Sequence, residues 1–464
     1  MNWPKPQSVQ AIDAYGRMWN AIAMTPMKPM LGTPLRHKFG RLLPLLVLVI
    51  AGPIFADTIV PTEDVVNGVV VRQGPSAQTA SIGRLAVGSE ATIIGSVPGW
   101  HHVRISSGLT GFVSKRWTRV VATPDTPENI TFRVDVIDVG TGLGILVRGP
   151  DFTLIYDGGS NDDLALGASN RMLAYLRAVA PTLTTIDHII LSHPHRDHVE
   201  LLPDLFANYQ VREVWDSGRS NDICGYRAFL TAVRNEPGVR YHNALQDHGT
   251  ASVPFAEKTC YGQALPAENI KLPLSDRISE TPVELGRDAS MVVIYADGEP
   301  SPSVNENSLV VRLDLGATRL LLMGDAEAGG RKQPSQPPAA SSIEGQILAC
   351  CRADVAARIL IAGHHGSMTS SRIAFLDAVG ASVSVISAGP TKYGSVTLPD
   401  AAVVQQLTSR GQVFRTDNDD AACALSPSKV GPKADGKPGG CDNIQFVISN
   451  TSPLRVSVWH GSGQ

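Results

Sequence analysis

Leu191-Ser192-His193-Pro194-His195-Arg196-Asp197-His198 places four metal-capable side chains within six residues, directly behind the apolar run Ile186-Asp187-His188-Ile189-Ile190-Leu191. A short apolar run of this length predicts a buried strand. The ligand-capable groups then stand at its C-terminal end, where a rigid sheet holds them and a loop turns them inward. Imidazole nitrogens with a carboxylate, and no thiolate, suit zinc, manganese or iron and argue against a structural cysteine site. A solvated His-rich loop is the bland alternative, and both density and placement weigh against it.

The chain around this stretch has 464 residues, room for two or three domains. Hydrophobic residues make up 43% and charged residues 18%, so core-forming side chains are ample. The net charge of −3 excludes a global basic field for nucleic acid, and such a substrate needs a local patch or the metal ions themselves. With 43 glycines and 32 prolines, many short strands and turns fit better than a helical bundle.

Leu42 to Ala56 (LLPLLVLVIAGPIFA) is the one strongly apolar run, and it follows Arg36, His37, Lys38 and Arg41. A basic flank, a short apolar stretch and a small final residue describe a signal peptide, with a buried core helix as the competing reading. The run falls short of the ~20 residues that span a bilayer. The expectation is an exported protein, periplasmic or secreted or else anchored by residues 42–56, with no further integral membrane domain. Met27 and Met30 are alternative starts that would shorten the leading segment. Six cysteines, at 224, 260, 350, 351, 423 and 441, agree with an oxidising compartment. Cys224 with Cys260 and Cys423 with Cys441 are the expected pairs, and adjacent Cys350-Cys351 has no reading from sequence alone.

From residue 57 to 122, valine-rich runs (Gly68–Arg72, Ala91–Ile94, His102–Ile105, Gly111–Val113) alternate with turn clusters such as Gln73-Gly74-Pro75-Ser76 and Pro98-Gly99-Trp100. Short strands at this spacing predict a small all-β barrel or sandwich. Val71-Arg72, Gly74-Pro75, Gly83, Gly88, Gly99-Trp100, Val103 and Gly111-Phe112-Val113 together resemble the bacterial SH3-like domain. That resemblance implies attachment to peptidoglycan or other cell-wall material, with a simple spacer as the alternative. Residues 1–56 precede this domain as an N-terminal extension and signal peptide, and residues 123–130 follow it as a Pro-punctuated linker.

Residues 131–460 form the larger domain. Strands are expected at Thr131–Gly140, Gly144–Val147 and Phe152–Asp157, then Asp157-Gly158-Gly159-Ser160, a helix from Asn170 to Val179, and the metal-motif strand. Downstream come Asn305-Glu306-Asn307-Ser308-Leu309-Val310-Val311, Arg319-Leu320-Leu321-Leu322-Met323-Gly324-Asp325, Ile359-Leu360-Ile361-Ala362-Gly363-His364-His365-Gly366-Ser367 and Lys392-Tyr393-Gly394. This order resembles the metallo-β-lactamase superfamily, and within it the metallo domain of ComEC-type competence proteins. The resemblance implies an α/β fold, an αββα sandwich of two mixed sheets flanked by helices. Two Pro/Gly/Ser/Lys-rich insertions, 329–342 and 426–440, are expected to be mobile loops.

The resemblance also implies the site. His193 and His195 would serve one metal, Asp197 and His198 the other, and Asp325 would bridge them. One of His364 and His365 would complete the second site, because neighbours on an extended chain point in opposite directions. Zinc is the expected cofactor, as one or two ions, with manganese as the alternative. Two ions roughly 3.5–4 Å apart can hold a bridging hydroxide while stabilising the attacking and leaving oxygens. Asp197, Asp325 and His365 are the expected catalytic residues. The function implied is metal-dependent hydrolysis of a phosphodiester or nucleic acid. The alternatives are an amide or ester hydrolase acting on cell-wall material and a non-catalytic wall-binding protein.

The chain departs from the pattern at three places. Residues 303–308 carry no histidine where many members have a third ligand for the first metal. Val199-Glu200 stands where relatives often have apolar-Gly-Gly, and Ser395 follows Tyr393-Gly394 where the competence group tends to have histidine. His248 is an outside candidate for an extra ligand. His101, His102, His188, His242 and His460 are read as structural or surface residues.

Overall fold

The computed structural model describes residues 58–121, 130–163, 170–418, 442–449 and 454–459. The segment 42–56, the Cys423–Cys441 pair, the 426–440 insertion and His460 lie outside the described residues. The chain divides into two compact units, Met1–Thr123 and Pro124–Gln464.

In the first unit, seven short strands form one antiparallel sheet. The valine-rich runs become strands Val69–Arg72, Ala91–Val97, Trp100–Ile105 and Thr110–Ser114. Alternate side chains turn inward, so that Ile59, Val69, Val71, Leu85, Ala91, Val103 and Val113 form a small closed core.

The second unit is built from two mixed sheets. One has eight strands, in spatial order Arg240–His242, Gln210–Asp216, Thr185–Leu191, Thr153–Gly158, Gly144–Arg148, Thr131–Val136, Asn443–Ser449 and Arg455–Trp459. The first four run parallel. The other has seven strands, Val283–Gly286, Ala289–Tyr295, Val310–Leu315, Thr318–Leu322, Ile359–Ile361, Val383–Ile386 and Gln412–Arg415, and its last four run parallel.

The pleat decides the layers. Leu320 and Leu322 face Leu154, Tyr156 and Phe446 in the core between the sheets. Leu321 points outward, to Ile343, Phe375 and Leu407 of helices Ile343–Cys350, Ile373–Val379 and Ala401–Thr408. Ile155 and Ile189 likewise point outward to Leu173, Phe229 and Leu230 on helices Arg171–Val179 and Cys224–Asn235. Strands buried on both faces need the continuous apolar runs seen here, and the result is helix, sheet, sheet, helix. Asn170 caps the first of these helices by accepting from the Leu173 amide at 3.0 Å.

Parallel runs inside each sheet gather strand C-termini at one end. Asp157 sits in the last residues of such a strand, and the His193–His198 loop, Asp325 and the His364-His365 pair follow such ends. Among the described residues no helix is long and apolar enough to cross a membrane.

The disulfide Cys224–Cys260 forms as expected. Cys350 and Cys351 also bond to each other, a pairing no sequence argument anticipated. The insertion 329–342 is not the mobile loop expected from its composition. The fully buried Arg372 guanidinium donates to the carbonyls of Gly330 and Lys332, and Ile373 donates its amide to Pro334, so the loop wraps a cation that needs its oxygens. Phe446→Ala, which empties a fully buried ring position between the sheets, should cost about 3–5 kcal/mol in urea unfolding of the larger unit.

Candidate metal centre

Asp325 lies at the centre. It follows strand Thr318–Leu322 through Gly324, which has φ +51 and approaches so closely that an added Cβ would meet the Ser192 Cβ at 2.7 Å. Only glycine lets the loops of the two sheets come this near. The Asp325 amide donates to Ser308 Oγ at 3.1 Å, which fixes the carboxylate's direction.

Four imidazoles surround that carboxylate. His198 Nε2 lies 3.2 Å and His365 Nε2 3.4 Å from Oδ1, while His193 Nε2 and His364 Nε2 each lie 3.7 Å from Oδ2. His365 Nε2 is also 3.5 Å from Asp197 Oδ2, and His195 Nδ1 is 3.0 Å from His193 Nε2. All seven residues expected at the site are therefore brought together. His248 is not: it is exposed and sits 3.8 Å from Asp276 on a distant turn. His102 stacks on Phe112 in the small unit, and His188 and His242 flank Trp215.

Each imidazole is aimed by its other nitrogen. His198 Nδ1 meets Asp157 Oδ2 at 2.8 Å, and Asp157 itself accepts from the Ser192 amide and hydroxyl, both at 2.7 Å. His365 Nδ1 donates to the Ser387 carbonyl at 2.8 Å. His364 Nδ1 faces Thr369 Oγ1 at 2.6 Å and Glu327 Oε1 at 3.1 Å. Such partners hold the metal-facing nitrogen free and set ring orientation.

The argument that neighbouring histidines diverge fails because the chain is not extended there. His364 (φ 47) and His365 (φ 52) are both left-handed, in a turn that sends both rings towards Asp325. Left-handed non-glycine residues are uncommon, although histidine is among the enriched types, and they concentrate at functional sites.

The centre balances its own charges: against burial, Asp325 and Asp157 hold His198 well above the usual imidazole range, and Asp325 with Glu327 raises His364, so both rings give up a proton to serve as ligands. Burial pushes Asp325 up, but His198, His365 and His364 outweigh it and hold the carboxyl well below its usual range. Burial likewise opposes ionisation of Asp197, and the neighbouring His365 and His198 imidazoles overcome it. Burial, aided by His198, keeps His193 neutral with a lone pair to offer, and burial does the same for His195. His198 Nε2, His365 Nε2 and Asp325 Oδ1 are buried, face one another and find no hydrogen-bond partner in the protein. Buried polar atoms are seldom left so, and a divalent cation would satisfy all three. Two trios of ligand atoms lie within 4.8 Å of one another, His193-His198-Asp325 and Asp197-His198-His365. The residues present fit one or two such ions.

Several contributors were not assigned roles from sequence. Asp157 was legible only as the start of Asp-Gly-Gly. Tyr393 belongs to a noted pattern, yet only the fold brings its hydroxyl to Asp197 Oδ2, to which it donates at 2.8 Å. Asn161 donates to the same hydroxyl at 3.2 Å, tying the 390–397 loop to the site's mouth. On the other flank Asn221 donates to the Pro194 carbonyl at 2.8 Å. Glu200, the departure after His198, is buried beside Gly225 and 3.7 Å from Arg196. Asp157→Asn, which keeps shape but removes the charge that aims His198, should weaken cation binding about 10–100-fold in competition with a chelating dye.

Comparison with known proteins identifies the family. The family model for the metallo-beta-lactamase superfamily matches residues 137–389, more than half of the chain, and the bacterial SH3 domain model matches 67–119. Recombination protein 2 of Haemophilus influenzae is 27% identical over 277 residues, 60% of this chain, which spans only 26% of that protein's length. Among solved structures, the metallo-beta-lactamase fold protein YhfI from Bacillus subtilis is 13% identical, over 62% of this chain and 97% of that one, with a TM-score of 0.36. A diphosphatase from the PhnP family is 12% identical, over 69% and 99%, with a TM-score of 0.32. The chain belongs to the metallo-beta-lactamase superfamily of metal-dependent hydrolases, with a bacterial SH3 domain ahead of its hydrolase domain.

Proposed function

We propose that this protein is an exported phosphodiesterase that uses two divalent cations, zinc or manganese, to cleave nucleic acid or another phosphodiester polymer. The observation that carries the reading is the division of ligand atoms between the two oxygens of Asp325. One carboxylate that serves two neighbouring sites is what a two-ion hydrolytic centre needs. Bound cations would supply a water whose pKa falls to about 7 with zinc, together with positive charge for the leaving oxygen.

The residues do the rest. His193, His195, Asp197, His198, Asp325, His364 and His365 hold the cations. Asp197 and Asp325, both ionised, orient the attacking water. Tyr393, half out of the protein at the mouth, steadies Asp197 through its hydroxyl. Arg196 lies within the motif with its side chain 43% exposed, and Lys392 is exposed beside Tyr393; both offer the local positive charge that a net charge of −3 does not supply. The sequence likeness to Recombination protein 2 favours a nucleic-acid substrate over other phosphodiesters.

A second reading has support in the small unit. A groove of about 430 Å³ there is lined by Asp64, Val66, Arg72, Trp100 and Trp117, and aromatic walls with a few charges suit a peptide or glycan of the cell wall. The bond cleaved would then be an amide or ester. A wall-binding protein without catalysis is the third alternative, against which the full set of convergent ligands weighs.

Chelation should abolish hydrolysis of bis-p-nitrophenyl phosphate, and zinc or manganese should restore it. Equal activity in a metal-free sample would sink the proposal. DNA, a phosphodiester, a β-lactam and peptidoglycan fragments assayed side by side separate the readings, and DNA is expected to be cleaved fastest.

A further inference from the structure

Two segments with few anchors of their own rest on the His193–His198 motif. The first is the approach to helix Cys224–Asn235. Ile223 caps that helix without a side-chain hydrogen bond, yet Asn221 just ahead of it donates to the Pro194 carbonyl, between His193 and His195, at 2.8 Å. Gly225, in the first turn, lies so close that an added Cβ would meet Glu200 Oε2 at 2.5 Å and Val199 Cγ1 at 3.2 Å. Glu200 stands two residues past His198 and 3.7 Å from Arg196. This one segment therefore brackets the motif at both ends.

The second segment is the hairpin of strands Lys258–Cys260 and Gln263–Leu265. A two-stranded hairpin is marginal by itself, and of these strand residues Cys260 alone is buried. Tyr261, which follows it, faces Glu200: burial and that carboxylate push the phenol up. The Cys224–Cys260 disulfide ties the two segments together. Lys258 also reaches Asp222 Oδ1 at 3.0 Å, but both side chains are about a third exposed, and such a pair contributes little. The chain behind the hairpin has its own supports. Phe255, Ile270 and Leu272 share a core with Phe229 and Leu230 of the helix, and Arg227 donates to the Ala256 and Pro266 carbonyls.

We infer that the Cys224–Cys260 disulfide is a positioning bond for the metal motif: intact, it holds Asn221 and Gly225 on the chain that carries His193, His195, Asp197 and His198, and its reduction loosens that chain and lowers cation affinity. The hydrolase unit stays folded in either state, because its cores do not depend on the bond. The centre is thereby competent in an oxidising compartment and weakened in a reducing one. The inference rests on the cation-binding centre read above, and not on which bond that centre cleaves.

The test is manganese affinity of the full chain, measured by competition with a chelating dye, with circular dichroism as the control for folding. Manganese is chosen because freed thiols are poor ligands for it. Reduction uses a phosphine, removed by gel filtration before the measurement. The phosphine gives two electrons and becomes its oxide with the oxygen of one water, whose two protons complete the two thiols. Affinity is expected to fall about 10–100-fold on reduction, the size of effect that outer partners of metal ligands have. The Cys224→Ser, Cys260→Ser double variant should match the reduced protein and no longer respond to phosphine. The Cys350→Ser, Cys351→Ser double variant should keep both the wild-type affinity and the full response. In the metal-free protein, reduction should speed hydrogen exchange of the His195, His198 and Glu200 amides, and leave strand Thr185–Leu191 unchanged. If the first double variant does not fold, phosphine-treated wild type decides. Unchanged affinity after reduction overturns the inference. Loss of the folded signal on reduction also overturns it, since the bond would then staple the whole unit. An oxidised wild type that binds no cation overturns the reading of the centre, and this inference with it. A redox-dependent affinity without phosphodiester cleavage supports this inference and sinks only the proposed substrate.

Discussion

One buried carboxylate organises this molecule. Asp325 is 2% exposed, and an isolated ionised carboxylate at such depth costs several kcal/mol or more. Its compensation comes from four imidazoles carried by two different sheets. His193 and His198 follow a strand of the eight-stranded sheet, and His364 and His365 follow a strand of the seven-stranded one. The centre therefore exists only when the two sheets are packed with strand C-termini at the same end. The apolar layer between them, with Tyr156, Ile190, Leu320, Leu322, Ile359 and Ile361, sets that packing. Glycine is required at 324 because the two loops nearly touch there.

Around the centre, orientation is set a layer further out. Asp157, Ser387, Glu327 and Thr369 each engage the remote nitrogen of an imidazole, and Tyr393 engages Asp197. The contacts come from chain segments far apart in sequence, so the site's geometry is a property of the whole hydrolase unit. Gly142 illustrates the coupling: at φ +143 it runs against the Asp197 carbonyl, and a Cβ there would lie 2.3 Å from that oxygen. The loop after the first strand thus buttresses the metal motif from behind.

Burial explains where composition misled. The 329–342 segment has the residues of a loose loop, yet Arg372 is fully buried and draws carbonyls from that segment around itself. A guanidinium that cannot reach water must find oxygens, and a flexible, Pro/Gly-rich stretch can supply them. The vicinal disulfide at Cys350-Cys351 was equally silent, because nothing in a linear sequence tells whether adjacent thiols join.

Much of the architecture was legible in the order of motifs. Apolar runs ending in His-x-His-x-Asp-His, Gly-Asp and His-His-Gly mark strands that end at ligands, because period-two burial and the turn residues after it are local properties. The antiparallel valine-rich strands of the small unit were legible for the same reason. What the sequence could not determine was direction in space. It placed His364 and His365 side by side but not their shared left-handed turn, and it left Asp157, Tyr393 and Glu327 without duties. Those depend on which loops meet at the sheets' common end. Ligand types are written in the residues, whereas which nitrogen faces which oxygen is decided by tertiary packing, since only packing brings segments hundreds of residues apart to within a hydrogen bond.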